Sequence, residues 1–139
     1  MIEKRPQSGF EELEHTADWA MRVWAPNLSS LFVECVWGMY ALSGIEVGAG
    51  QRVQRQIALN AEDRETLLVD FLSEILFLAE DEGLAFAELE VQISEQGLTA
   101  NLQGAAVAAM RKEIKAVTYH GMSIEKENGE YSVEVVFDV

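Results

Sequence analysis

Residues Leu67 to Ala79 constrain the architecture more than any other stretch of the 139-residue chain. The run Leu67-Leu68-Val69-Asp70-Phe71-Leu72-Ser73-Glu74-Ile75-Leu76-Phe77-Leu78-Ala79 is too long for an ordinary strand and reads as a helix that is apolar nearly all round. Such a helix must be enclosed by other elements. Its polar exceptions, Asp70, Ser73 and Glu74, lie three or four residues apart and share one face. Asn60, with Asp63 three residues on, is placed to cap it.

A first helix is written in Leu28, Leu31, Phe32, Cys35, Val36, Met39 and Leu42, one apolar stripe that stops at Ser43-Gly44, where glycine can take the left-handed cap. The remaining apolar pattern has period two. Phe10 to His15 reads as a short strand, and Trp19 to Ala25 as a second with Trp19, Met21 and Val23 on one side. Val53, Ile57 and Leu59 give a third. Leu89, Val91 and Ile93 turn through Glu95-Gln96-Gly97 into Leu98, Ala100 and Leu102. Gly104 to Met110 is small and apolar without a clear period, and the structure of residues 104–112 is left open. Ile114 to Lys126 reads as extended. Asn128-Gly129 is a type I′ hairpin signal, followed by Tyr131, Val133, Val135 and Phe137 on one face. The expected fold is α+β, a mostly antiparallel sheet packed against two main helices in a single domain over 1-139, with 1-8 a flexible tail.

Charge narrows the partners. Twenty-four acidic against ten basic residues leave a formal charge of −14. Nucleic-acid backbones are held by Lys and Arg, so tight direct nucleic-acid binding is disfavoured, and a basic protein or a divalent cation suits the surface better. Cys35 is the one cysteine. It sits in an apolar stripe, where a packed, inert thiol is expected. No run of about 18 apolar residues is present, so no membrane span is expected. Met1 to Ser8 lack a signal-peptide core, and a cytoplasmic protein is expected.

No phosphate-cradling loop, nucleophile elbow or Cys/His zinc spacing occurs. Three segments carry the chemistry. His15-Thr16-Ala17-Asp18 lies between two strands, where Thr and Asp commonly bond the local backbone; alternatively Asp18 is an oxygen ligand. Glu113 to His120 joins polar and aromatic residues. β-propensity accounts for Thr118 and Tyr119, but Lys115 on a strand needs solvent or a partner acid. The third segment is Phe137-Asp138-Val139. Phe137 continues the core face, Asp138 faces away, and a docked strand would bring the Asp138 side chain beside the terminal carboxylate of Val139. Two such carboxylates repel each other, and a hard cation relieves that repulsion.

These segments, with the Leu67 to Phe77 helix and an ending Val136-Phe137-Asp138, resemble the archease family over about Phe10 to Val139. Archeases are accessory proteins of the RtcB-type tRNA-splicing RNA ligase, promoting its guanylylation and multiple turnover. The resemblance implies metal ligation by Asp18, Asp138 and Val139, with calcium the expected ion and magnesium or manganese as alternatives. It also implies a role in activation for Lys115, and partner contacts at His120, Asp70 and Glu74. The chain departs from the family at Ala105-Ala106-Val107-Ala108-Ala109, where many members carry a longer loop with acidic and histidine residues. Two other readings stay open. A generic chaperone or modulator of RNA-modifying enzymes would bind several unrelated partners. A metal-dependent hydrolase would need an open coordination position, a water and a base.

Overall fold

The computed structural model describes residues 6–13 and 18–139. His15, Thr16 and Ala17 of the first motif, and the first five residues of the expected tail, lie outside the described residues. Pro6 and Ser8 of that segment each make a hydrogen bond to another element. The Trp24 indole Nε1 donates to the Pro6 carbonyl at 2.9 Å, and the Ser8 hydroxyl to Glu34 at 3.2 Å.

The elements are β1 (Gly9–Leu13), β2 (Trp19–Ala25), α1 (Leu28–Ser43), β3 (Glu46–Val47), β4 (Val53–Leu59), α2 (Arg64–Asp81), β5 (Leu84–Ser94), β6 (Gly97–Ala109), β7 (Ala116–Thr118), β8 (Glu125–Glu127) and β9 (Glu130–Asp138). Two antiparallel sheets form. In one, β9 lies between β2 and the edge shared by β7 and β8, and β1 completes the far side. In the other, β6 pairs with β4 and β5, and β3 joins its far end. The helices bridge the two: α1 packs on β1 and β2 of the first sheet and β5 of the second, and α2 on β7 of the first and β4, β5 and β6 of the second. The α+β reading therefore holds, with the strands divided between two sheets.

Enclosure of α2 follows its composition. Leu67, Leu68, Val69, Phe71, Leu72, Ile75, Leu76, Leu78 and Ala79 are all buried. Phe71 stacks at a tilt on Phe32 of α1 with ring centroids 6.0 Å apart. Between Leu67 and Ala79 only the stripe through Asp70, Ser73, Glu74 and Phe77 reaches solvent. Cys35 is fully buried, and burial, reinforced by Glu34, raises its thiol far above the ordinary range. Gly44 takes φ 70° and closes α1 as its sequence predicts. No helix among the described residues is long and apolar enough to cross a membrane.

Three expectations change in detail. The cap of α2 is Asp63, whose side chain accepts from the Thr66 amide at 2.7 Å; Asn60 lies a turn too early, on the loop leaving β4. Residues 104–109 continue β6, because Ala85, Leu84 and Gly83 supply backbone partners that a pattern of alanines does not advertise. Ile114 to Lys126 is broken into β7 and β8 by a turn in which the Met122 amide donates to the Tyr119 carbonyl and Gly121 takes φ 63°. The described part of β1 runs to Leu13, and the last two residues of the expected Phe10 to His15 strand lie outside the described residues. The Asn128-Gly129 turn has φ of 52° and 76°, as a type I′ hairpin requires.

Tyr40 ties α1 to the second sheet. Its hydroxyl accepts from the Phe86 amide at 3.1 Å beside the bulge in β5. Tyr40→Phe should cost about 1–3 kcal/mol, the penalty for an orphaned buried amide. Burial pushes the phenol up to about 12, opposed by the Phe86 bond. A raised acid favours the protonated folded form, so this stability is full below the ordinary value of 10.0 and falls as pH rises from there towards 12. Urea melts of parent and variant between neutral and strongly alkaline pH should converge across that window.

Candidate functional site at the β2–β9 end

Asp18, Asp138, Val139 and Lys115 meet at one end of the first sheet. Trp19 pairs with Phe137, so Asp18, one residue earlier, and Asp138, one residue later, occupy the same end of adjacent strands. Phe137 is fully buried, and alternation turns the exposed Asp138 to the opposite face. Asp138 also pairs with Ala116 on its other side, and the Lys115 amide donates to the Asp138 carbonyl at 2.8 Å. The chain end is thereby docked: its backbone is bonded on the β7 side, and half-buried Val139 packs on the core. The run of Val133, Val135, Val136 and Phe137, all buried, explains why this strand stays in the sheet to Asp138.

Charges of both signs stand here without ion-pair partners among the described residues. Among the described residues, no Lys, Arg or His forms an ion pair with Asp18 or Asp138, and no acid pairs with Lys115. Lys115 is exposed, as a residue before an edge strand can be. Among the described residues, no three Asp, Glu, His or Cys side chains come together as a metal cluster. The site therefore offers two side-chain carboxylates at adjacent strand ends and the main chain of Val139. That set is oxygen-only and matches a hard cation completed by water better than zinc.

The remaining candidates stand apart. His120 lies in the turn beyond β7, its amide donating to Thr118 Oγ1 at 3.3 Å, and is separated from Lys115 by the length of β7. Asp70 and Glu74 line the solvent stripe of α2, on the helical layer rather than on the outer sheet face that carries Asp138.

One neighbour was not legible in the sequence. Lys112 sits with its ammonium 4.4 Å from the centre of the ring of Trp19, the residue after Asp18 in sequence. It is positioned by the Ser43 carbonyl, which accepts from the Arg111 and Lys112 amides at 2.9 and 3.0 Å. The only signal was a basic pair after a featureless alanine run, and the partner Trp19 reads as plain core.

Residues 10–139 match the model of the Archease protein family (MTH1598/TM1083). The chain belongs to the archease family. Curated archeases resemble it along almost their whole length. Protein archease of Methanopyrus kandleri is 33% identical over 94% of this chain and 99% of its own. That of Methanothermobacter thermautotrophicus is 30% identical with the same coverage. The solution structure of protein 1598 from Methanobacterium thermoautotrophicum superposes with a TM-score of 0.70 at 26% identity, covering 94% of this chain and 99% of that one. A crystallised archease from Thermotoga maritima, described as a possible chaperone, gives a TM-score of 0.72 at 22% identity, covering 100% and 99%. The latter likeness is one of fold. Archease membership agrees with the expected α+β architecture.

Proposed function

We propose that this archease-family chain is an accessory protein that activates an RtcB-type RNA ligase, promoting its guanylylation and multiple turnover in tRNA splicing and RNA repair, with no active site of its own. The observation that supports this most is the convergence of three of the family's motifs. Asp18 of the first, Lys115 of the second and Asp138 of the third are far apart in sequence and share one end of one sheet. A scaffold role alone does not require uncompensated charges of both signs at that spot.

In this reading the carboxylates of Asp18 and Asp138, with the terminal carboxylate of Val139, hold a divalent cation. Calcium suits the donor set, and magnesium or manganese would require tighter geometry. Such an ion supplies positive charge that a partner's phosphate or carboxylate can share. The exposed Lys115 ammonium offers a second positive group a few residues away. Activation is conformational: the chain can shift the ligase only by binding its nucleotide-competent state more tightly than the other. Binding to nucleic acid itself is weak, because a surface at −14 repels phosphates.

The experiment is a comparison of single-turnover and multiple-turnover ligation with and without the protein at substoichiometric amounts. Multiple turnover and formation of the guanylylated ligase should both rise. No change in either would contradict the proposal.

A further inference from the structure

The solvent stripe of α2 carries features that its own fold leaves uncompensated. Phe77 is 48% exposed, on a helix whose Phe71, Leu72 and Ile75 are fully buried. Glu80 and Asp81 close the helix with no base in the last turn, although carbonyl ends of helices favour cations. Glu113 lies on the connector between β6 and β7. Burial first, then Glu113 and Asp81, raises the Glu80 carboxyl above its usual range. Among the described residues none of Glu74, Glu80, Asp81 and Glu113 has a basic partner. A fold that places like charges together, against a helix dipole and around a half-exposed aromatic, departs from local consistency in a way that function commonly explains.

We infer that this stripe, Glu74, Phe77, Glu80 and Asp81 of α2 with Glu113 beside them, docks a protein surface that presents Lys and Arg around an apolar socket. Charge selects the occupant. A second copy of this chain also carries −14 and would be repelled. A phosphate backbone would be repelled for the same reason. A single metal ion is a poor fit, because among the described residues the acids do not converge into a ligand cluster. Acids spread along a helix face suit cations spread along a partner's surface. Phe77 is the anchor whose burial supplies affinity, and the surrounding acids steer encounter and fix orientation.

The stripe adjoins the candidate site through the connector, because Glu113 stands two residues before Lys115. Glu65 at the start of α2 accepts from the Ile124 amide at 3.0 Å, which ties the helix to the segment before β8. One basic partner can therefore cover the stripe and reach Lys115. The docking surface rests on the proposed function in that the partner is the ligase.

The test is calorimetric binding of the full chain to the ligase at low and high salt. Phe77→Ala should weaken binding about tenfold or more at either salt. The double substitution Glu80→Gln with Glu113→Gln, which neutralises both acids, should weaken it several-fold at low salt and flatten the salt dependence. Its melting temperature should equal or exceed the parent's, since it removes a repulsion, which separates docking from folding. If the parent binds and activates the ligase while both variants bind like the parent with the same salt dependence, the docking surface is wrong and the functional reading stands. If the parent neither binds nor activates, both are overturned.

Discussion

Gly104→Val should leave little folded protein at 37 °C. Gly104 lies in the middle of β6, opposite Val53 of β4 on one side and Phe86 of β5 on the other. A Cβ there would overlap the Ala85 carbonyl oxygen and come within 2.7 Å of the Phe86 Cα. Both are backbone atoms in paired strands, so no side chain can swing aside. They also belong to the β5 bulge, where Tyr40 is hydrogen-bonded to the Phe86 amide. Relief would require β5 to leave β6, which undoes the second sheet. We expect a loss of about 4 kcal/mol or more, a large part of the stability of a domain this size. Gly50→Ala is the matched control. That position is exposed with nothing within 4 Å of the added carbon, and should change stability by no more than about 0.5 kcal/mol. Denaturant melts of the two variants measure the difference, and comparable stability would mean that the β5–β6 register is misplaced.

Lys115→Ala should leave the fold intact and remove most of the ligase activation. The Lys115 main chain is structural, because its amide bonds Asp138, but its side chain is exposed and forms no ion pair among the described residues. Alanine keeps the amide and removes only the ammonium. A charged hydrogen bond to a partner is worth about 1.5–3 kcal/mol, so activation at limiting protein should fall roughly 10- to 100-fold. Lys115→Arg should restore part of it if charge is what counts. Melting temperatures within a degree or two of the parent would confine the effect to partner contact. Full activation by the alanine variant would reduce Lys115 to a surface charge.

Most of the scaffold is legible in the sequence because its signals are local. The stripe from Leu28 to Leu42, the enclosed run from Leu67 to Ala79 and the Asn128-Gly129 turn each state their structure in neighbouring residues. Where the reading fails, the deciding partner is distant. The alanines of 105–109 become strand because β5 and β3 pair with them, and period-two alternation is invisible when nearly every side chain is small. Asp63 outcompetes Asn60 as a cap by the geometry of the loop leaving β4. The candidate site divides in the same way. Its residue types are readable, as are the apolar residues that dock the last strand. The register that sets Asp18 beside Asp138 depends on pairing Trp19 with Phe137 across more than a hundred residues. Lys112 over Trp19 depends on the Ser43 carbonyl, which no sequence pattern announces.

Calcium-dependent melting probes the chain-end carboxylates most directly. A cation bound by the folded state alone stabilises it by about 2.7 kcal/mol at a hundred times its dissociation constant, which raises Tm on the order of 10 °C. The parent protein should show that rise with Ca²⁺. Asp18→Asn and Asp138→Asn should each remove most of it, as should appending residues after Val139, which turns its carboxylate into an amide. Glu134→Gln, on the same strand but beside Arg22, should leave it unchanged. A parent whose Tm ignores Ca²⁺, Mg²⁺ and Mn²⁺ alike, or a rise that survives the loss of both aspartates, would contradict a metal site built from these residues.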